Sequence, residues 1–296
     1  MKSSDLCCVV VAFNPDVAKL CNVIESILKW SRRIILVDNT PSGSYCVDDL
    51  IKYDIDIIQV GENIGIGAAQ NKGILRAVNL GFSWIVLSDQ DTLFPANYGC
   101  LMMGWLQADN SACAIVPTFI DSHRSSQSII KATIPAWHGW KKIAPPQGIF
   151  NLYEGAASGM VLKVASLKQV GLMNEDLFID WVDFEWCWRA RSHGFKILGT
   201  SEVRINHTLG NGAISIGKKV VNIRPPIRHY YITRNCLYLA IYAPKLSINC
   251  RLRLFLKALV YFISYPTLMT PRTQNFNAVI KGFRDGLIRR LGKYKP

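Results

Sequence analysis

The chain has 296 residues, of which 50% are apolar, so it is long enough to bury a sizeable core, and this composition excludes a disordered chain. Its nine cysteines are scattered and lack the paired spacings of zinc and redox motifs, which predicts a reducing, cytoplasmic environment. The formal net charge is +13, and the first apolar run, which follows Asp5, is too short for a cleaved signal peptide.

The first 120 residues alternate between short apolar runs and helical patterns. The runs are rich in Val and Ile, as expected of strands that are buried on both faces. The predicted strands cover residues 7–13, 33–39, 54–60, 82–91 and 112–119, and predicted helices cover residues 16–30 and 67–81. This alternation predicts an α/β fold of the Rossmann-like type, with a mostly parallel sheet flanked by helices.

Polar residues follow four of these strands. Asn14 follows the first strand, Asp38 the second and Asn63 the third, while Asp89 and Asp91 follow the fourth. Because ligands bind at the carboxyl ends of the strands in such sheets, we expect these side chains to meet at one edge. The alternative is that each of them forms a turn or caps a helix, as Asp and Asn often do in loops.

The stretch SDQDTLFP, residues 88–95, places two carboxylates one residue apart after a buried strand. Asp89 and Asp91 in this arrangement can bind a hard divalent cation from one side and leave its other positions open to a diphosphate. An Asp-x-Asp tripeptide is common by chance, so the prediction depends on the apolar strand before it and on the polar ends of the other strands.

A glycine-rich segment, GENIGIGAAQNKGI at residues 61–74, leads from the third strand into the next helix. It has neither the G-x-G-x-x-G spacing of dinucleotide-binding folds nor the pattern of a P-loop. We expect Gly65 and Gly67 to let the backbone approach a nucleotide at the helix N-terminus. A flexible loop that leads into a helix is the alternative.

The stretch LFIDWVDFEWCWRARSHGFKI, residues 177–197, predicts a helix followed by a strand that ends at His207. We expect Asp180 as the N-cap and Asp183 as the N3 residue, since carboxylates favour a helix start. The helix also carries three tryptophans, Trp181, Trp186 and Trp188. Packing in the core is expected for each of them, and contact with the apolar face of a deoxysugar is the alternative.

The C-terminal region, residues 216–296, differs in charge from the rest of the chain. From residue 217 onward it holds 16 Lys and Arg and one acidic residue. Residues 1–216 hold 18 Lys and Arg and 20 Asp and Glu. Its apolar runs are too short to span a bilayer. Basic residues among bulky apolar ones predict an interfacial helix on an anionic membrane surface, and an ordinary helical cap is the alternative. The side chains expected to insert are Leu254, Phe255, Leu259 and Phe262. Because the chain shows no nucleic-acid-binding module, no nucleic acid partner is expected.

Eight blocks of the sequence, taken in order, resemble the inverting glycosyltransferases of family 2, which have the GT-A fold, and among them the bacterial rhamnosyltransferases. The blocks are VVVAFNPD, ILVDNTPSG, GENIGIGAAQNKGI, WIVLSDQDT, GAASGMVLK, LFIDWVDFEWCWRARSHGFKI, NHTLG and HYYITRN. The resemblance implies a GT-A domain over residues 1–215, with a nucleotide-sugar half (1–119) and an acceptor half (120–215), followed by the basic helical region.

The resemblance also implies roles for single residues. The residues implied at the nucleotide sugar are Ala12, Asn14, Asp38, Asn63, Asn71, Asp89 and Arg234. Those implied for Mn²⁺ or Mg²⁺ are Asp89, Asp91 and His207. Asp183 aligns with the carboxylate that takes the proton from the acceptor hydroxyl. The family pattern is usually Glu-Asp-x-Asp, and this chain departs from it with Val182 before the Asp, so Asp180 stays an alternative base.

The activity implied is metal-dependent, inverting transfer of a sugar, L-rhamnose from dTDP-L-rhamnose, to a polyprenyl-diphosphate-linked oligosaccharide in the synthesis of cell-surface polysaccharide of the O-antigen type. Such an acceptor implies a peripheral position on the inner face of the cell membrane. Another UDP- or GDP-linked donor is the main alternative. A nucleotidyltransferase is less favoured, because VVVAFNPD lacks the basic, glycine-rich signature of that class.

Overall fold

A mixed β-sheet forms the centre of the computed structural model, which describes residues 3–41, 50–121, 128–129, 131–137, 139–207, 213–216, 219–222, 224–243 and 245–295. The strands of the sheet are β1 (Ser3–Ala12), β2 (Ser31–Pro41), β3 (Asp56–Gly61), β4 (Trp84–Asp89), β5 (Ala112–Asp121), β6 (Ser128–Ile129), β9 (Ile149–Leu152), β10 (Val161–Lys163) and β11 (Lys196–His207). Two separate hairpins pair β7 (Ala132–Ala136) with β8 (Gly139–Ile143), and β12 (Ala213–Ile216) with β13 (Lys219–Asn222).

The strand order is β3-β2-β1-β4-β10-β5-β11-β9, with β6 beside β5. The first four strands of this order are parallel to one another. The short strand β10 is antiparallel to both of its neighbours, β11 is parallel to β5, and β9 is antiparallel to β11. The mostly parallel sheet predicted from the sequence is therefore confirmed, and each of the five predicted strands is present.

The helices are α1 (Val17–Leu28), α2 (Ile66–Asn79), α3 (Tyr98–Ala108), α4 (Val164–Val170), α5 (Val182–Ser192), α6 (Pro226–Tyr242), α7 (Ile248–Leu268) and α8 (Arg272–Leu287), and a 3₁₀ turn covers Glu175–Leu177. On one face of the sheet, a hydrophobic core joins side chains of α2, α5, α6 and α7 to β1 and β2. On the other face, a second core joins α1 and α3 to the same strands. The C-terminal helices thus share a core with the sheet, and the division of the chain near residue 215 stays a prediction.

The start of α5 differs from the expected one. The N-cap is Trp181, with φ +69°, rather than Asp180, and Asp183 is the second residue of the helix instead of the third. Asp180 also has a left-handed backbone, at φ +63°, and its carboxylate accepts hydrogen bonds from Arg224 at 2.8 Å and Arg228 at 2.7 Å. Ion pairs to the C-terminal region therefore take the place of the expected cap.

The basic residues of α7 face the protein rather than solvent, contrary to the interfacial pattern expected. Arg251 Nε donates to Ala240 O at 2.8 Å, and Arg253 Nη1 donates to Trp140 O at 2.6 Å. The ammonium of Lys257 lies 4.5 Å from the centroid of the Trp181 ring. These cations stabilise the packing of α7 against the chain.

Two of the four side chains expected to insert into lipid are also turned inward. Leu254 is buried, and Phe262 packs edge-on against Phe283. Phe255 and Leu259 are exposed as expected. No helix in the described part of the chain is long and apolar enough to cross a membrane.

Gly73 sets how closely α2 packs on the sheet, and this generates a first prediction. A Cβ at Gly73 would overlap the side chain of Val9 and come within 3.1 Å of Val37. We therefore expect Gly73→Ala to lower the free energy of unfolding by about 1–3 kcal/mol, measured by urea denaturation.

The matched control is Gly104→Ala, in α3. Gly104 is exposed, and its Cβ would meet nothing within 4 Å. Since alanine favours a helix interior over glycine, this variant is expected to gain up to about 1 kcal/mol. Equal stability of the two variants would contradict the close packing of α2.

Candidate active site

The carboxyl ends of β1, β2 and β4 meet at one edge of the sheet. In the strand register, Ala12 lies beside Asp38, and Val11 lies beside Asp89. The backbone positions expected to converge are therefore neighbours, as in other ligand sites of parallel sheets.

Side-chain hydrogen bonds connect the loops that follow these strands. Asp38 Oδ1 accepts from Thr40 N at 2.9 Å, and Thr40 Oγ1 accepts from Asn14 N at 2.8 Å. Asn63 Oδ1 accepts from Gly65 N at 3.0 Å and from the amide of Asn39 at 3.1 Å. Asn63 thus forms a turn before α2, as the alternative predicts, whereas Asp38 bonds to Thr40 N within β2. The roles of both residues at a nucleotide sugar stay predictions.

The two carboxylates of SDQDTLFP differ in exposure. Asp89 is half-buried at the end of β4, whereas Asp91 is exposed in the turn that follows. Asp89 N donates to Ser158 Oγ at 3.3 Å, and Ser158 Oγ lies 2.6 Å from Thr92 Oγ1. The segment of residues 155–160 therefore fixes this turn, a connection between distant parts of the chain that the sequence pattern did not reveal.

Asp183 contacts the same segment. Its Oδ2 accepts from Ala157 N at 3.2 Å, and its Oδ1 accepts from Phe184 N at 2.9 Å. Burial raises the pKa of Asp183 to about 7 against the opposing effect of these two hydrogen bonds, and the negative charges of Asp89 and Asp180 raise it further. A carboxylate with this pKa is suited to accept a proton near neutral pH.

Gly65 and Gly67 allow close contact with another segment of the chain, residues 174–178. A Cβ at Gly65, where φ is +89°, would lie 2.6 Å from Phe178 O, and a Cβ at Gly67 would lie 3.0 Å from Asn174 O. Ile66 N donates to Phe178 O at 2.7 Å. The close approach expected here is thus an approach of residues 174–178, which lead into α5, to the start of α2.

Asn71 and Arg234 also contact the chain in the structure. The buried Asn71 amide donates to Met173 O at 2.9 Å and to Glu175 Oε1 at 2.8 Å. Arg234 is fully buried, and its guanidinium donates to Gly292 O at 2.6 Å and to Leu177 O at 2.9 Å. Both side chains therefore hold parts of the chain together. Their predicted place at the nucleotide sugar stays a prediction.

The predicted metal ligands form no complete set among the described residues, in which no three His, Cys, Asp or Glu side chains gather as a metal site. His207 ends β11 opposite Asp121, and its side chain lies outside the described residues. Asp89 and Asp91 are therefore the described part of the predicted metal set.

Packing in the core is confirmed for the three tryptophans of α5 and its N-cap, each of which is less than 10% exposed. Each indole also donates a hydrogen bond inside the protein: Trp181 to Ile232 O, Trp186 to Gly171 O and Trp188 to Glu154 Oε2.

Sequence reasoning missed Asn235, the neighbour of Arg234. Its amide donates to three carbonyls of the segment before α5, those of Leu177, Ile179 and Asp180. The block HYYITRN contains this residue. The signal that could have drawn attention to it is the polar pair Arg234 and Asn235 within a helix that is rich in apolar and aromatic residues.

Comparisons with known proteins agree with this geometry. Residues 7–171 match the family model described as Glycosyl transferase family 2. The dTDP-rhamnosyl transferase RfbF of Shigella flexneri is 28% identical over 240 residues, which cover 80% of this chain and 80% of that protein.

Two solved structures show the same fold. S. aureus TarS 1-349 in complex with UDP-GlcNAc has a TM-score of 0.61 and 14% identity, over 98% of this chain and 82% of that one. GalNAc-T7 with UDP, GalNAc and Mn2+ has a TM-score of 0.59 and 15% identity, over 88% of this chain and 57% of that one. These likenesses show the GT-A type of fold.

The raised pKa of Asp183 generates a second prediction. Burial favours the protonated carboxyl in the folded state, whereas in the unfolded state the group titrates near 3.8. The unfolded state therefore binds fewer protons between about pH 4 and pH 7, and stability falls as the pH rises through this range. Asp183→Asn removes this loss, so at pH 8 the variant is expected to be more stable than the wild type by about 1–3 kcal/mol.

The measurement is thermal unfolding at pH 4, 6 and 8 in EDTA. The gain should be largest at pH 8 and absent at pH 4. Asp180→Asn is the contrasting variant, because it weakens the ion pairs to Arg224 and Arg228 and should destabilise the protein at pH 8. A gain for Asp183→Asn that does not change with pH would contradict the raised pKa of this carboxyl.

Proposed function

The chain belongs to glycosyl transferase family 2, and on that premise we propose that it transfers L-rhamnose from dTDP-L-rhamnose, with inversion, to a lipid-linked oligosaccharide during the synthesis of a cell-surface polysaccharide. The observation that carries the proposal is the half-buried Asp183 carboxyl, whose pKa is raised to about 7, near the charge of Asp89 at the carboxyl edge of the sheet.

The donor is proposed from the relative. RfbF is named a dTDP-rhamnosyl transferase, and it matches this chain over 80% of the length of each. The nucleotide would lie across the ends of β1 and β2, where Ala12, Asn14 and Asp38 are close together. A UDP-linked sugar is the second candidate, because the TarS complex contains UDP-GlcNAc on the same fold.

A divalent cation, Mn²⁺ or Mg²⁺, fits the end of β4. Asp89 and Asp91 offer carboxylate oxygens, the ligands that these ions prefer. The negative charge of Asp89 also contributes to the raised pKa of Asp183. A bound cation would offset that charge and stabilise the departing diphosphate. His207 is proposed as a further ligand from family resemblance.

Asp183 is proposed as the base. Its carboxylate would accept the proton of the acceptor hydroxyl as that hydroxyl attacks the anomeric carbon and the bond to the diphosphate breaks. The two backbone N–H groups of Ala157 and Phe184 hold the carboxylate in one orientation. Asp180 is the weaker candidate, because Arg224 and Arg228 already bind both of its oxygens.

A peripheral position on the inner face of the cell membrane is proposed from the outer face of α7. This face, here called the α7 stripe, consists of exposed apolar side chains: Ile248, Leu252, Phe255, Leu256, Leu259, Val260 and Ile263. These positions recur every three or four residues, so they lie along one side of the helix. Exposed cations, Lys245 and Arg272, flank the helix at its two ends, and α7 contains no acidic residue.

An anionic bilayer suits this combination, because it takes up apolar side chains and attracts cations. A polyprenyl-diphosphate-linked acceptor would present its sugar end at the same surface. Pairing of the stripe with a second copy of the chain would instead bring like charges together.

The catalytic assignment generates a third prediction. With dTDP-L-rhamnose as donor, Asp183→Asn is expected to lower turnover about 10²- to 10⁴-fold with little change in donor KM, because the amide cannot accept a proton. Asp91→Ala is expected to abolish transfer and to leave the fold intact, because the diphosphate loses its counter-ion. The assay measures dTDP release and sugar transfer with a panel of dTDP-, UDP- and GDP-linked sugars.

Glu202→Gln is a suitable control, because Glu202 is an exposed carboxylate on β11 outside the proposed catalytic residues. Full activity of Asp91→Ala in EDTA would overturn the metal assignment. A near-normal rate for Asp183→Asn with an inactive Asp180→Asn would move the base to Asp180, and preference for a UDP-linked sugar would overturn the proposed donor.

The α7 stripe generates a fourth prediction. The protein is expected to co-sediment with phosphatidylglycerol vesicles, to bind phosphatidylcholine vesicles weakly and to be released by salt, since each cation near the surface contributes about 1 kcal/mol. The double variant Leu256→Glu and Ile263→Glu should lose most of this binding, because it places two carboxylates on the stripe.

Ile51→Glu is the matched control, since Ile51 is 72% exposed and Ile263 is 65% exposed. It should bind vesicles as the wild type does. Unchanged vesicle binding by the double variant would contradict the membrane assignment, and a change in sedimentation from dimer to monomer would assign the stripe to a second copy.

A further inference from the structure

The segment that precedes α5 has a strained backbone. Phe178, Asp180 and Trp181 have φ values of +62°, +63° and +69°. Left-handed backbone in residues other than glycine is unfavourable and persists only where the surrounding structure holds it. Asp183 follows two residues after Trp181, so the direction of its carboxylate depends on this segment.

Asn235 of α6 holds the segment through its carbonyl groups. Its amide nitrogen donates to Leu177 O at 2.8 Å, Ile179 O at 2.9 Å and Asp180 O at 3.1 Å. The side chain is fully buried. One side chain therefore binds the carbonyls on both sides of Phe178 and the carbonyl of Asp180.

Arg234 supports Asn235 and extends the contact. Its Nε donates to Asn235 Oδ1 at 2.8 Å, which orients the Asn235 amide, and its Nη2 donates to Leu177 O at 2.9 Å and Asp176 O at 3.2 Å. Its Nη1 donates to Gly292 O, and Gly292 N donates to Asp176 O at 2.7 Å. Removal of Asn235 would take this donor from the part-buried carbonyls of Ile179 and Asp180, and removal of Arg234 would take it from the carbonyl of Gly292, which is costly.

We propose that Arg234 and Asn235 are positioning residues for the catalytic base: they hold residues 176–181 in the strained conformation that directs the Asp183 carboxylate towards the acceptor hydroxyl. The proposal rests on the proposed function of Asp183. Within the described residues, neither side chain bonds to Asp183 itself, so the effect is exerted through the backbone of the segment.

This role differs from a contribution to stability alone. The hydrogen bonds of the Asn235 amide nitrogen end on the segment before α5. The carboxyl ends of β1 and β2, where the donor is proposed to bind, have their own hydrogen bonds. Loosening the segment should therefore lower the rate of the chemical step and leave donor binding nearly unchanged.

The first test compares Asn235→Ala with Asn275→Ala. Asn275 is an equally buried asparagine of α8, and its side chain bonds to His229 and to Met269 O. Asn235→Ala is expected to lower kcat about 10- to 100-fold with donor KM within about twofold of the wild type. Asn275→Ala should keep the wild-type kcat at a temperature at which circular dichroism shows both variants folded.

Arg234→Lys provides a second variant if Asn235→Ala does not fold. It keeps the positive charge and loses the planar guanidinium. We therefore expect a loss of kcat that is smaller than that of Asn235→Ala. Equal losses of kcat in Asn235→Ala and Asn275→Ala, or a rise in donor KM that accounts for the loss, would overturn the proposal.

A double variant separates this proposal from the proposed function. If Asn235 acts through Asp183, adding Asn235→Ala to Asp183→Asn should lower the residual turnover by less than about twofold, because residues that act as one unit are not additive. A further loss as large as in the wild-type background would overturn the positioning role. High activity of Asp183→Asn alone would instead overturn the choice of base.

Discussion

The site depends on one constraint: the half-buried Asp183 carboxylate is held in place by two backbone N–H groups, with no basic side chain bonded to it among the described residues. One of these groups, Ala157 N–H, belongs to the segment of residues 155–160. That segment also bonds to β4 through Gly159 N, which donates to Leu87 O at 2.7 Å, and through Ser158 Oγ at Asp89 N. The base and the first carboxylate of the Asp-x-Asp pair are thus positioned relative to the same strand.

This arrangement explains why the two halves of the domain cannot be treated as independent parts. The start of α2, which belongs to the nucleotide-sugar half, bonds to Phe178 in the segment that leads to the base. Gly65 and Gly67 are required there because a side chain at either position would meet that segment. The start of α2 and the segment that leads to the base are consequently held in one relative position, which suits a reaction in which donor and acceptor must be aligned together.

Local patterns in the sequence predicted the elements of the sheet, because short runs of Val and Ile report burial on both faces. They also singled out Asp89 and Asp91 as candidate metal ligands, whereas Asp183 was assigned as the base from the family resemblance, and these assignments stay predictions. The cap of α5 was wrong for a physical reason: Asp180 is a suitable N-cap by residue type, but Arg224 and Arg228, which are more than 40 residues away in sequence, bind its carboxylate instead. Charge patterns were misleading in α7 for the same reason, since the partners of Arg251 and Arg253 are backbone carbonyls that no sequence pattern reveals.

The bond between Arg234 and the carbonyl of Gly292 has a consequence for the order in which the protein is made. A ribosome releases the chain from its N-terminus, so the sheet and the donor edge emerge long before residue 292. Until that residue is available, the guanidinium of Arg234 lacks one of its acceptors and the segment before α5 lacks part of its support. A nascent chain would therefore acquire the donor edge first, and the base would be fully aligned only after residue 292 has emerged.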